Sequence, residues 1–240
     1  MAGTDLRVGW RRVPFTVSAW LVLVGVAVAT SSHAGPLDPS LRHAFGLAAS
    51  HLPRGDWTRL VTSLPFTDGG LTFYQTAVML ALCVGICEWR YGPRKTMPVF
   101  FGVHLVVAAV TTFLLAYPLA HFGSERGALL VRATDVGPSA GYYGCLGFAL
   151  FAGRPTIRPR AITVVLLLLA LRFLWTFTRV PDHGAGIAAD AAHLCAFPLG
   201  VLAAHRWGRL GGSRDRPSPP GWRQRRRSSE QEKGDEERNE

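Results

Sequence analysis

Two residues with the chemistry of a hydrolase lie inside apolar segments of this sequence. Ser139 follows Gly137 and Pro138 at the start of one segment, and His193 lies in the last one. A serine hydroxyl is a poor nucleophile until a base removes its proton, so a neutral histidine within hydrogen-bond reach is the minimum apparatus for covalent hydrolysis. The pair predicts a Ser–His dyad, provided that the two segments pack together.

Small residues surround both candidates. Gly141 and Gly144 follow Ser139, and small residues recur at every fourth position around His193: Ala188, Ala192, Ala196, Gly200 and Ala204. This spacing favours close helix packing in membranes, so we expect the two segments to meet. The alternative is that Ser139 bonds to backbone at a helix start and that His193 is an ordinary interior histidine. A G-x-S-x-G match alone arises easily by chance.

Six apolar segments predict the elements that position these residues. They cover about 14–31, 71–87, 99–120, 137–152, 161–177 and 184–205. A bilayer core about 30 Å thick needs roughly 20 mostly apolar residues per helix. The first segment follows three arginines and also resembles a signal peptide, but we interpret it as a span because of its length. We predict an all-α, polytopic membrane protein with a six-transmembrane-helix bundle over residues 14–206.

The distribution of charge predicts the topology. The chain is 48% hydrophobic and carries a formal net charge of +10. Lys and Arg collect at the amino terminus, at 90–95, at 154–160 and in the tail. Because cytoplasmic loops are enriched in these residues, we predict a multi-pass protein of the plasma membrane with both termini cytoplasmic. Residues 1–13 are the predicted cytoplasmic N-terminus, and 207–240 a disordered tail of basic and acidic residues.

The same features argue against two other classes of function. The basic residues punctuate apolar segments instead of forming one stripe with aromatics, so we predict no nucleic-acid partner. The four cysteines lie in apolar segments without the histidine spacing of a zinc site, so we predict no metal. Cys83 and Cys87 lie one turn apart but lack an obvious further ligand.

Polar residues inside apolar spans are functional candidates by default. Beyond the dyad they include His104, which we interpret as an interior or interface histidine. Arg172 is expected to extend towards the outer surface or to pair with a neighbour in the bundle. Asp190, one turn before His193, either orients the imidazole or is an ordinary polar residue at a helix start.

Four groups of residues resemble the rhomboid family of intramembrane serine proteases, over roughly 57–206. They are Trp57 with Arg59 and the Leu60–Ser63 run; Gly85, Glu88, Arg90 and Gly92; Gly137, Ser139, Gly141 and Gly144; and Asp190, Ala192, His193, Leu194 and Gly200. The resemblance implies that Ser139 is the nucleophile and His193 the general base. It further implies cleavage of single-span transmembrane substrates within the lipid bilayer, with no cofactor.

Two departures from the family pattern bear on activity. Ala140 follows the serine where the family usually has glycine, and Thr72 and Thr76 occupy the places of the usual oxyanion-stabilising His and Asn. Gln75 and the backbone amides around Ser139, including that of Gly137, are the candidate replacements. The alternative functions are a catalytically weak or inactive rhomboid-like protein that binds transmembrane clients, and an unrelated six-span scaffold or transporter.

Overall fold

The computed structural model of this protein describes residues 12–151, 158–180 and 184–211, with side chains described as far as residue 207. The chain divides into two units, 1–205 and 206–240, and the candidate site lies within the first. Most of the predicted amino-terminal segment, the Arg154 part of the basic turn and the predicted tail beyond residue 211 lie outside the described residues. The described part is helical, with two isolated β-bridges.

Each of the six predicted apolar segments forms a helix. These are α1 (Pro14–Ala29), α2 (Leu71–Tyr91), α3 (Pro93–Val110), α4 (Ser139–Phe151), α5 (Arg158–Arg179) and α6 (Ala185–Gly211). α3 continues without a break through a π-helical stretch, Thr111–Ala116, into Tyr117–His121. A further helix, Glu125–Arg132, precedes α4.

Four of the described helices are long and apolar enough to cross a membrane, namely α2, α3 with its continuation, α5 and α6. The described part of the chain is therefore all-helical, and the protein is a multi-pass membrane protein. α1 is apolar but has 16 residues. α4 has only 13 residues, so at 1.5 Å per residue it is about 20 Å long, against a bilayer core of about 30 Å. The predicted fourth span is thus shorter than a full crossing.

α4 lies at the centre of the helix packing, in contact with α2, α3 and α5. Most of its side chains are buried. Glycines allow the neighbours to approach closely, because Gly141 faces the ring of Phe100 and Gly144 faces the side chain of Val103. An added methyl group would collide at either position. The small-residue run after Ser139 therefore serves packing on this side of α4.

The two small-residue segments meet, as the sequence predicts. Gly200 of α6 lies directly against the backbone carbonyl of Gly144, and Gly147 of α4 lies against the carbonyl of Phe197. Close backbone approach through small residues is the usual means of helix association in membranes, where lipid removes the hydrophobic driving force. This contact brings the helices of Ser139 and His193 side by side.

Glu88 joins α2 to the start of α1. Its side chain is 1% exposed. Its Oε1 accepts a hydrogen bond from the Phe15 amide (2.9 Å), and its Oε2 accepts from the Thr16 amide and hydroxyl (2.7 Å each). The first N–H groups of a helix lack intrahelical partners and carry partial positive charge, so a carboxylate there is stabilising. The resemblance group around Glu88 therefore has a structural role.

The loop between α1 and α2 packs over the start of α4. It contains the short helices Pro39–Phe45 and Arg59–Thr62 and a 3-10 turn between them. Leu47 exchanges two backbone hydrogen bonds with Asp135, at 2.9 and 2.8 Å, and the Ser63 carbonyl accepts from the Gly137 amide at 3.0 Å. Because the loop binds residues 135–137, the chain before Ser139 does not extend the helix. This explains the short α4.

Candidate active site

Ser139 is the first residue of α4 and is half-buried. Gly137, two residues earlier, has a φ of +127°, a backbone conformation that residues other than glycine rarely adopt. Pro138 then fixes the entry into the helix. The serine hydroxyl therefore lies at the amino end of a helix, where unpaired N–H groups and the helix dipole favour negative charge.

A cavity of about 70 Å³ opens beside Ser139. Five polar side chains line it: those of Ser139, His104, Thr111, Thr112 and Asp135. Ala188, Ala191 and Ala192 of α6 supply part of its apolar wall. One ordered water needs roughly 10–15 Å³ of this kind of space, so the cavity has room for several waters beside the serine.

His193 packs against α4 at Tyr143, one helical turn after Ser139. Its ring packs against Tyr143, four residues after the serine, with centroids 4.4 Å apart and planes inclined by 38°. The imidazole is 8% exposed, and neither ring nitrogen has a hydrogen-bond partner among the described residues. The Ser139–His193 hydrogen bond that the sequence predicts is therefore not formed in this conformation. His193 is not among the described residues that line the cavity beside Ser139.

Asp190 bridges His193 and Arg172. Its Oδ1 lies 2.7 Å from Nε of Arg172 and 3.4 Å from Nδ1 of His193. Asp190 is 2% exposed, and its second oxygen, Oδ2, has no hydrogen-bond partner within the described part of the chain. From the sequence, Arg172 is expected either to extend towards the outer surface or to pair with a neighbour in the bundle, and the structure shows the pairing. Asp190 adjoins the imidazole, as it must if it orients the His193 ring.

The predicted oxyanion donors are not directed at the serine. Gln75 is exposed on α2 and is not among the described residues that line the cavity. The Gly137 amide donates to the Ser63 carbonyl at 3.0 Å and is thus already used. Thr72 is exposed, whereas Thr76 is buried. The amides that remain at the site are those of the first turn of α4, which begins at Ser139.

The sequence identifies His104 only as an interior or interface histidine, but the structure places it at the site. It is 7% exposed, as expected of an interior histidine, but it also lines the cavity with Ser139. Its Nε2 lies 2.9 Å from the Leu60 carbonyl in the loop, and its Nδ1 has no partner among described residues. His104 and Leu60 are 44 positions apart in the sequence. A local sequence pattern gives no signal for such a contact.

Asp135 adds a titratable group to the same cavity, outside the membrane-spanning segments. Burial raises the pKa of its carboxyl to about 7, and the neighbouring Asp68 carboxylate adds to this rise. Its Oδ1 accepts a hydrogen bond from the Val136 amide at 2.9 Å. The cavity beside Ser139 therefore changes its charge near neutral pH.

Three residues of the resemblance, Arg59, Trp57 and Arg90, are not among the described residues that line the cavity. Arg59 joins parts of the loop, donating to the carbonyls of His43 (2.6 Å) and Gly46 (3.2 Å) and pairing with Asp56 at 3.0 Å. Trp57 is 55% exposed, and Arg90 is exposed on α2. Arg59 therefore stabilises the loop that holds the start of α4.

Comparison with protein-family models, curated proteins and solved structures finds no match to this chain. The rhomboid interpretation therefore depends on the four residue groups and on the geometry described above.

Proposed function

We propose that this protein is a rhomboid-type intramembrane serine protease, with Ser139 as nucleophile and His193 as general base. The observation that carries the proposal is the juxtaposition at α4. Ser139 begins a short, central helix beside a small cavity, and the His193 ring packs one turn away, against Tyr143. In this proposal all six helices form a rhomboid-like bundle in the plasma membrane, with both termini cytoplasmic.

The first chemical step is acyl transfer to the serine. His193 Nε2 takes the hydroxyl proton as Ser139 Oγ attacks the carbonyl carbon of the scissile peptide bond. The tetrahedral intermediate then collapses, and the imidazolium gives the proton to the leaving amine. A side-chain rotation closes the gap between the two groups, in keeping with apo structures, where catalytic hydrogen bonds are often long.

The amino end of α4 is the proposed oxyanion site. Developing negative charge on the substrate carbonyl is stabilised by the N–H groups of the first turn and by the helix dipole. This replaces the side-chain donors that Thr72 and Thr76 do not supply. Loss of one donor typically lowers turnover about 100- to 1,000-fold, so we expect a slow enzyme. Water in the cavity then hydrolyses the acyl-enzyme.

The dimensions of α4 favour a transmembrane substrate. If the far end of α4 reaches the cytoplasmic face, a helix about 20 Å long begins roughly 10 Å below the outer edge of a 30 Å core. A soluble protein does not reach that depth with ordered structure. A single-span helix that unwinds locally presents its peptide bonds there, because unwound backbone is tolerated beside a water-containing cavity.

Cleavage of single-span reporters tests the proposal. Purified wild-type protein is reconstituted in liposomes with a panel of such reporters, beside Ser139→Ala and His193→Ala. We expect cleavage by the wild type and its loss in both variants, with thermal stability unchanged. Cleavage that survives in Ser139→Ala would refute the assignment of the nucleophile.

A second candidate is a rhomboid-like protein that binds transmembrane clients without cutting them. The unbonded ring nitrogens of His193 and the outward position of Gln75 favour this alternative. It predicts that wild type, Ser139→Ala and His193→Ala capture the same reporters in the membrane and leave all of them intact. Cross-linking in the same liposomes separates the two functions.

A further inference from the structure

An arginine in the middle of an apolar helix calls for an explanation. Arg172 lies on α5, seven residues before that helix ends at Arg179. A charged side chain within a membrane span is expensive and usually marks a functional pair. Its Nε lies 2.7 Å from Oδ1 of Asp190, although its side chain is 58% exposed. The arginine therefore reaches from a lightly buried helix to a carboxylate in the interior.

The same carboxylate oxygen lies near two side chains. Oδ1 of Asp190 contacts Arg172 at 2.7 Å and lies 3.4 Å from Nδ1 of His193. Tyr143 packs against the imidazole, so the ring adjoins both a carboxylate on its own helix and an aromatic ring on α4. A carboxylate at Nδ1 favours the tautomer with the proton on Nδ1, which leaves Nε2 free to accept a proton.

We propose that Arg172 and Asp190 are positioning residues for the dyad. Arg172 fixes the Asp190 carboxylate, and the carboxylate holds the His193 imidazole with its proton on Nδ1 and its Nε2 available to Ser139. This inference rests on the proposed protease function. It extends the Ser–His pair to a chain of four side chains on three helices, with Arg172 acting through Asp190 and not on the substrate.

The alternative is a purely structural ion pair, which joins α5 to α6 and neutralises two charges. The two roles differ in what they require at position 190. A structural pair needs opposite charges in either order, whereas positioning needs an acceptor beside Nδ1 of His193. Exchanging the two residues therefore separates the roles.

The cleavage experiment compares Arg172→Gln, Arg172→Lys, Asp190→Asn and the exchange variant Arg172→Asp with Asp190→Arg. Loss of a residue that orients a functional imidazole typically lowers activity about 10- to 100-fold, so we expect kcat to fall by this factor in Arg172→Gln and Asp190→Asn. KM is expected to stay near the wild-type value, because the substrate does not touch the pair. Arg172→Lys retains most activity, since the arginine uses a single nitrogen.

Arg179→Gln is the matched control. Arg179 lies on the same helix but stacks over Trp175 of α5 itself, at 4.8 Å from the ring centroid. We expect its kcat and KM to equal those of the wild type. The exchange variant is expected to regain the thermal stability of the wild type but not its kcat. Recovery of both, or an unchanged kcat in Arg172→Gln, would overturn the proposal.

The protonation state of His193 gives a readout independent of cleavage. Nitrogen NMR of isotopically labelled histidine, with the His193 signal identified by its loss in His193→Gln, reports which ring nitrogen carries the proton. We expect Nδ1–H in the wild type and a mixture of tautomers in Arg172→Gln. If the wild type cuts no reporter, the protease proposal fails, and this spectrum still decides the positioning role. Identical spectra in wild type and Arg172→Gln would refute it.

Discussion

A single added methyl group at Gly200 tests the contact that brings α4 and α6 together. The Cβ of an alanine would meet the carbonyl oxygen, carbon and Cα of Gly144, the last two at 2.7 and 3.0 Å. These are backbone atoms, which cannot rotate away. Overpacking of this kind destabilises by about 1–3 kcal/mol, and contact with backbone favours the upper end. For a chain of this size, about 3 kcal/mol corresponds to a fall in Tm of about 6–12 °C.

Gly102→Ala is the control, because an added Cβ at that glycine meets nothing within 4 Å. Replacing a helical glycine by alanine without a clash stabilises by about 0.4–1 kcal/mol, so its Tm should rise slightly. The Tm of each variant can be measured with a thiol-reactive dye, because Cys83, Cys87 and Cys145 are buried and become reactive only on unfolding. Equal Tm values for the two variants would refute the close α4–α6 contact.

Three further predictions follow from named contacts. Glu88→Ala leaves the Phe15 and Thr16 amides unpaired, at about 1–3 kcal/mol each, and should lower Tm in the thiol-dye assay. Asp135→Asn should raise Tm at pH 8 but not near pH 4. The pKa of the Asp135 carboxyl is raised from 3.8 to about 7 in the folded protein, so the wild type loses stability as the pH rises between these two values. Tyr143→Ala should lower kcat about 10- to 100-fold in the reporter assay by releasing the His193 ring, whereas Tyr143→Phe should not.

Each of these predictions has a result that would contradict it. Glu125 is exposed, so Glu125→Gln should leave the free energy of unfolding within about 0.5 kcal/mol of the wild type. An equally small effect of Glu88→Ala would exclude the helix-capping role. A pH profile of Asp135→Asn that parallels the wild type would mean that another group titrates. Equal activity of Tyr143→Ala and Tyr143→Phe would show that the stacked ring does not support the imidazole.

The helical segments were predictable because apolar composition and length are local properties of the sequence. Each predicted span contains a helix, although the limits differ by several residues. The short α4 was not predictable in the same way. Its start depends on backbone hydrogen bonds that residues 135 and 137 make with Leu47 and Ser63, in a loop far away in the sequence. These bonds stop the helix before Ser139.

The sequence predicts which residue types form the candidate site better than it predicts where their side chains point. The small residues around Ser139 and His193 correctly indicated that their helices meet, because close packing in membranes depends on that spacing. Gln75 could not be oriented from sequence alone, since one position along a helix turns a side chain by about 100°. The sequence does not identify the partner of Arg172, because that partner depends on how α5 packs beside α6.

The most direct test of the central claim is covalent capture of Ser139 by a fluorophosphonate probe, which reacts with activated serines and needs no knowledge of the natural substrate. Folded wild-type protein in liposomes is treated with the probe, digested and analysed by mass spectrometry, beside His193→Ala. We expect an adduct on the peptide that contains Ser139 in the wild type and its loss in His193→Ala. No adduct on folded wild-type protein, or equal labelling of the variant, would contradict a nucleophile activated by His193.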